Sequence, residues 1–145
     1  MTKALVSGAA GALTTTLLHE AVRRAAADAP RIDLLGMQAL AKLLRALGAE
    51  VPTGSRLYTL TLLGDVVSNA AYFALCAFAG PRRAVRNGVL LGIGGGLGAV
   101  ALPGPLGLSD ATTNRMPVTR ALTIGLYAAG GFVAGCCFAA FERDA

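Results

Sequence analysis

The sequence is poor in charged residues, contains no tryptophan and has one histidine. Charged residues make up 14% of its 145 residues, against about 25% in an average soluble domain. Disordered chains combine low hydrophobicity with high charge, so an apolar fraction of 54% excludes disorder. The three cysteines are an odd number and two of them, Cys136 and Cys137, are adjacent, which excludes a small secreted domain built on disulfides.

Common catalytic and cofactor motifs are also missing. A single histidine and cysteines without metal-ligand spacing do not predict a zinc or bis-histidine haem site. The sequence has no CxxC pair, P-loop or nucleophile elbow. The glycine-rich string at 92–98 does not predict a dinucleotide site, because it lies within an apolar run and Asp110, the acidic residue about 20 positions on, sits in a loop. We therefore predict no catalytic residue, no metal and no cofactor.

The net charge of +5 does not indicate a nucleic-acid partner. The basic residues lie mainly at the ends of apolar stretches, where the cationic flanks of membrane spans are expected. No basic run is interleaved with aromatic residues that could stack on bases. The partner predicted instead is the lipid bilayer.

Four apolar stretches approach the roughly 20 residues that a helix needs to cross a bilayer. We predict an all-α polytopic membrane protein, a four-helix transmembrane bundle forming one membrane domain over residues 1–145, with spans at about 4–23, 57–80, 86–102 and 119–141. Between the first two spans, residues 33–48 place leucines on one helical face and Gln38, Lys42 and Arg45 on the other. This pattern predicts one short amphipathic interfacial helix. A soluble helical domain with a rich core is the alternative.

Basic residues leave the membrane orientation unresolved. Eight Lys or Arg residues flank one side of the predicted bundle and five flank the other, yet the compact loop Arg82–Arg86 is a strong local cytoplasmic signal. Charged residues follow the first apolar run where a signal-peptide cleavage site would lie, so we predict a retained span. The expected location is the cell (inner) membrane, with multi-pass topology.

Polar residues recur along the second span at three- and four-residue steps, which lie on one face of a helix. An ionisable group inside a span costs at least about 2.5 kcal/mol near its centre, and Asp65 lies well inside. Two interpretations stay open: Asp65 and Asn69 hold helices together by hydrogen bonds, or they bind a ligand, proton or ion. The polar face comprises Tyr58, Thr61, Asp65, Ser68 or Asn69, Tyr72 and Cys76.

The predicted topology brings His19 and Glu20, at the end of span one, to the same membrane leaflet as Asp65 and Arg120. These groups could form a polar pocket under the amphipathic helix. Alternatively, Glu20 pairs with Arg24 at i,i+4 spacing and Arg120 extends to the surface. The predicted ligand-binding or intramembrane polar site is Asp65, Asn69, Ser68, Tyr72, His19, Glu20 and Arg120.

Small residues at four-residue spacing predict close helix packing. Gly88, Gly92 and Gly96 repeat this spacing in the third span, and Gly131 and Gly135 repeat it in the fourth. Such glycines can pack spans within one chain or between subunits. The irregular segment 102–118 contains three prolines and is either a re-entrant or capping loop or a solvated loop.

These features predict a small multi-pass integral membrane protein that acts as a homo-oligomer or as an accessory subunit of a membrane-protein partner. Its intramembrane polar site would take a ligand, an ion or a partner's polar group. One alternative is a membrane-embedded enzyme on a lipid or quinone-like substrate, with His19 or Asp65 as acid or base and Arg120 as anion clamp. Another is a small transporter or channel with its path at a subunit interface.

Overall fold

The computed structural model describes residues 1–143, and every regular element among them is helical. The all-helical class predicted from the sequence is therefore confirmed. The helices are α1 (Thr2–Ala25), α2 (Ile32–Ala46), α3 (Gly54–Ala74, extended by a 3-10 turn over Leu75–Ala77), α4 (Pro81–Ala101), α5 (Ala111–Asn114) and α6 (Pro117–Arg143).

Three helices are long and apolar enough to cross a membrane: α3 with its 3-10 extension, α4 and α6. They support a membrane helical protein. The 24-residue helix α1 is not among them. It consists largely of alanine, glycine and threonine, and its last two turns carry His19, Glu20, Arg23 and Arg24.

A tight turn separates α3 from α4. The sequence predicts a span up to residue 80, but the helical turns end at Ala77 because Ala79 and Gly80 adopt positive φ angles of 71° and 85°. Pro81 then occupies the first turn of α4, where its missing N–H has no intrahelical partner to lose. The Asn87 side chain donates a hydrogen bond of 2.6 Å to the Phe78 carbonyl and ties the turn to α4.

The long helices contact one another in the order α4, α6, α1, α3, and the α4–α6 pair has the most extensive interface. Near the N-terminus of α1, Lys3 forms a salt bridge of 3.1 Å with Glu142 of α6. Direct contacts between α3 and α4 are few. The Tyr72 hydroxyl connects these two helices by donating to the Leu91 carbonyl at 3.0 Å.

Glycines let the helix backbones touch. A Cβ atom on Gly88 would collide with the backbone oxygen of Gly131, and one on Gly135 would lie 2.6 Å from the Ala84 oxygen. Gly92 and Gly96 meet the backbone of α6 in the same way. Lipid tails are as apolar as leucine, so packing contacts of this kind, rather than the hydrophobic effect, drive association of helices in a membrane.

Two further close approaches hold α1 in place. A Cβ on Gly8 would collide with the Ala70 oxygen of α3, and one on Gly11 would lie 2.6 Å from the Gly130 oxygen of α6. Both contacts lie in the first half of α1. In its second half a cavity separates α1 from α3.

Replacing Gly131 by alanine tests the packing of α4 against α6. The added methyl group has no space beside Gly88, so we expect Gly131→Ala to lower the free energy of unfolding by about 1–3 kcal/mol, the usual cost of overpacking. Denaturant titration in micelles, followed by circular dichroism, measures the change.

Gly125→Ala is the matched control on the same helix, because no other atom lies within 4 Å of the position that its new methyl group would take. Alanine favours helix over glycine by about 1 kcal/mol, so the control is neutral or stabilising. Equal stability of the Gly131→Ala and Gly125→Ala variants would contradict the packing described above.

Candidate functional site

A cavity of about 210 Å³ lies between the second half of α1, the start of α2 and the first half of α3. A buried water needs only about 10–15 Å³ of such space, so the cavity accommodates a small molecule or part of a larger one. The α1 wall runs from Thr15 to Arg23 and the α3 wall from Tyr58 to Asp65. Pro30, Ile32 and Asp33 form the third wall.

His19 is a buried residue that lines this cavity. The ring is 8% exposed, and its Nδ1 lies 2.9 Å from the Thr15 carbonyl oxygen. A carbonyl can only accept, so Nδ1 carries the proton and Nε2 of the neutral ring is a hydrogen-bond acceptor. Tyr127 of α6 packs against the ring edge-on, with the centroids 5.5 Å apart, and fixes its orientation.

Three buried polar atoms have no hydrogen-bond partner within residues 1–143: His19 Nε2, Thr16 Oγ1 and Thr61 Oγ1. All three residues line the cavity. Leaving a buried polar atom unpaired costs about 1–3 kcal/mol, and such groups are rare in folded proteins. Their convergence on one cavity is the strongest indication of a ligand site in the molecule.

Asp65 lies on the opposite wall from His19. It is 11 residues from the start of α3, which is about 16 Å along the axis at 1.5 Å per residue. Its Oδ1 accepts a hydrogen bond of 2.9 Å from the Asn69 amide. Its Oδ2 accepts none from the described residues.

Charged groups surround the end of the cavity nearest α2. The Arg23 guanidinium donates two hydrogen bonds of 2.7 and 2.9 Å to the Glu20 carboxylate. Arg24 donates a third, of 2.8 Å, to the same carboxylate. Arg31 grips Asp33 in the same bidentate way, at 2.7 and 2.9 Å. Bidentate pairs fix the planes of both side chains.

The pKa values of the second pair follow from this geometry. Burial acts to raise the pKa of Asp33, but the hydrogen bonds and positive charge of Arg31, with Arg23 nearby, outweigh it and hold the pKa below its ordinary value. The bond to Asp33 in turn raises the pKa of Arg31. Both groups are therefore charged at neutral pH.

Three carboxylates (Glu20, Asp33 and Asp65) and one guanidinium (Arg23) line the cavity. Glu20 is paired with Arg23 and Arg24, and Asp33 is paired with Arg31. Asp65 is therefore the one carboxylate of the lining without a basic partner among residues 1–143.

The segment between α4 and α6, which includes α5, holds the third wall of the cavity in place without lining it. The backbone N–H of Arg31 donates to the Thr112 carbonyl at 2.8 Å, and Arg115 donates to Asp28 at 3.0 Å. Gln38 of α2 accepts from the Ser109 N–H at 2.9 Å. The irregular segment between α4 and α6 therefore clamps the connection from α1 to α2.

The cavity has an opening between α1 and α3 that is edged by exposed leucines. Leu17 is 68% exposed and Leu62 is 37% exposed, and both line the cavity. Exposed apolar side chains therefore border the cavity between α1 and α3.

The predicted site residues do not all lie together. His19, Glu20 and Asp65 line the cavity, and Asn69 is bonded to Asp65. Ser68 is exposed and its hydroxyl bonds the backbone carbonyl of Asp65 at 3.1 Å. The remaining two predicted residues, Tyr72 and Arg120, lie elsewhere.

Tyr72 fills the space between α3 and α4. Arg120 is exposed, does not line the cavity and forms no salt bridge within residues 1–143. Of the seven predicted residues, four therefore lie in or next to the cavity, Tyr72 lies between α3 and α4, and Ser68 and Arg120 are exposed.

Sequence reasoning did not assign Thr16, Asp33 or Tyr127 to the site. Thr16 and Tyr127 share helical faces with His19 and Arg120, and that periodicity was the available signal. Asp33 reaches the cavity only because α2 folds back on α3, where a Cβ on Gly36 would lie 2.6 Å from Thr61. No local pattern predicts that contact.

Comparison with known proteins adds no assignment, since no protein-family model, curated protein or solved structure matches the chain.

The tautomer of His19 is directly measurable, because the chain contains one histidine. We expect the neutral ring to carry its proton on Nδ1, since that nitrogen faces the Thr15 carbonyl. Nitrogen chemical shifts of ¹⁵N-histidine-labelled protein in lipid distinguish the two tautomers. A proton on Nε2 would contradict the geometry of the site.

Proposed function

We propose that this chain is a small multi-pass membrane protein whose α1–α2–α3 cavity binds the polar group of an amphiphilic ligand. The convergence of three unpartnered polar atoms on one cavity carries the proposal. The opening edged by leucines supports an amphiphile, because an apolar tail can extend into lipid while its polar group stays inside.

Four spans, with α1 as the first, fit the packing of the molecule. The 24 residues of α1 measure about 36 Å at 1.5 Å per residue, enough to cross a hydrocarbon core about 30 Å thick. Three of its hydroxyl groups are satisfied by its own backbone. Ser7, Thr14 and Thr15 bond carbonyls one turn earlier at 2.8, 2.8 and 3.1 Å.

An interfacial position of α2 is part of the same proposal. The start of the helix lines the cavity between the end of α1 and the first half of α3. Its exposed residues include Leu43, Lys42 and Arg45, and the exposed Leu47 follows its last residue. Apolar and basic side chains together suit the boundary between headgroups and acyl chains.

Acid–base chemistry on a bound lipid-like substrate is the second candidate function. It is favoured by His19 and Asp65, a base and an acid, lining one cavity. Arg120 has no part in it, because it lies outside the cavity. Recovery of the bound molecule chemically changed would distinguish an enzyme from a binding protein.

Assembly with a second copy or another membrane protein stays a prediction. Within the chain, the glycines of α4 and α6 pack against each other, so this interface leaves those glycines no free face for a partner. A transport path between subunits likewise stays a prediction.

Single cysteines introduced into a cysteine-free background test the topology. Four spans place Thr2→Cys and Ala79→Cys on one side of the membrane and Ala27→Cys and Ser109→Cys on the other. Labelling with an impermeant maleimide in sealed vesicles reports the sides. If α1 does not cross, Thr2→Cys reacts from the same side as Ala27→Cys, and the four-span arrangement is wrong.

A substitution that fills the cavity tests ligand binding. Thr16→Leu adds volume inside the cavity and removes an unpartnered hydroxyl, so we expect folding to be retained and binding of radiolabelled octan-1-ol to fall at least about tenfold, as for loss of about 1.4 kcal/mol. Binding is measured in phosphatidylcholine nanodiscs after subtraction of protein-free discs.

Thr14→Leu is the matched control, because Thr14 lies on the same helix outside the cavity. It should bind octan-1-ol like the original protein. Equal binding by the Thr16→Leu and Thr14→Leu variants would show that octan-1-ol does not occupy this cavity and would count against the proposal.

A further inference from the structure

We propose that the ligand of the α1–α2–α3 cavity is a lipid-soluble ammonium compound, a primary or secondary amine on an apolar chain. This inference rests on the proposed function, since it names the chemical class of the amphiphile. Its ammonium group would lie between Asp65 and His19, and its chain would leave between Leu17 and Leu62.

The free polar atoms of the cavity are suited to accept hydrogen bonds. His19 Nε2 can only accept while Nδ1 is bonded to Thr15. Asp65 Oδ2 has no donor within residues 1–143, and an ionised carboxylate is an acceptor only. The hydroxyls of Thr16 and Thr61 accept as well as donate. A ligand with several N–H donors satisfies this set, whereas a carboxylate or phosphate does not.

The distribution of charge favours a cation. Arg23 is the one guanidinium of the lining, and its Nε and Nη2 donors are bound by Glu20. Asp65 has no basic partner within the described residues. A carboxylate inside a membrane is costly unless it is paired or protonated. A bound ammonium would pair it.

Tyr58 adds a second feature that suits a cation. Its ring lines the cavity one helical turn from Thr61 and two turns from Asp65. The face of an aromatic ring attracts ammonium groups within about 6 Å of its centre. An ammonium group at the α2 end of the cavity would therefore be attracted to this ring.

A proton on Asp65 is the competing occupant. A protonated carboxyl group needs no cation and could donate its own hydrogen bond, in which case the cavity would take a neutral molecule such as an alcohol. Comparison of an amine and an alcohol with the same chain separates these two cases.

The experiment compares octylamine with octan-1-ol in phosphatidylcholine nanodiscs at neutral pH, where the amine is protonated, as a lysine side chain is. We expect octylamine to bind at least about tenfold more tightly than octan-1-ol, because a hydrogen bond to a charged group is worth about 1.5–3 kcal/mol. Octyltrimethylammonium has no N–H donor and should bind more weakly than octylamine.

Variants assign the effect to Asp65. Asp65→Asn should reduce the preference for octylamine over octan-1-ol to less than about threefold. Asp110→Asn is the charge-matched control, since Asp110 is exposed and outside the cavity, and it should keep the preference. Circular dichroism melting verifies that both variants are folded.

The outcomes separate the two proposals. Equal binding of octylamine and octan-1-ol, both lost in Thr16→Leu, would overturn the ammonium assignment and leave the amphiphile site intact. Octyltrimethylammonium binding as tightly as octylamine would overturn the role of N–H donors. If neither octylamine nor octan-1-ol binds above protein-free discs, both proposals fail. The wild-type comparison decides the matter even if Asp65→Asn does not fold.

Discussion

The arrangement of the helices depends on direct contact between their backbones. Where α1 meets α3 and α6, and where α4 meets α6, no side chain larger than hydrogen stands at the closest points, such as Gly8, Gly11 and Gly88. Dispersion attraction falls steeply with separation, so these contacts hold the bundle only at the observed spacing. Each added methyl group would separate the helices and weaken all neighbouring contacts.

The cavity follows from an uneven distribution of these contacts. Small residues bring α1 against α3 near Gly8, but towards His19 the facing residues are Thr61 and Asp65 and the helices do not close. Pro30, Ile32 and Asp33 cover one side of this gap. The segment between α4 and α6 holds them in place through the hydrogen bond from Arg31 to Thr112. The polar site therefore depends on three distant parts of the chain.

Much of this architecture was predictable, because it depends on local properties. Apolar length predicts the helices, and the structure confirms an all-helical chain with three helices suited to a membrane. Helical periodicity also indicated a polar face on α3, but it could not separate its members. Asp65 faces the cavity, Tyr72 faces α4 and Ser68 is exposed.

Those differences arise from the crossing of α1 over α3 and from the fold-back of α2, which are long-range contacts. The exposure of Arg120 is likewise determined by long-range contacts. One helix seen alone does not specify which of its neighbours takes each side. Periodicity therefore assigns residues to a face of the helix, and only packing determines which neighbour that face contacts.

The ion pair between Arg115 and Asp28 also joins residues far apart in sequence, and it has a consequence for biogenesis. During synthesis α1, α2 and α3 leave the ribosome before the segment that secures them, so the pocket wall stays loose until translation has passed Arg115. Tyr127, which steadies the His19 ring, emerges later still. Nascent chains halted before that point lack the contacts that hold the third wall of the cavity.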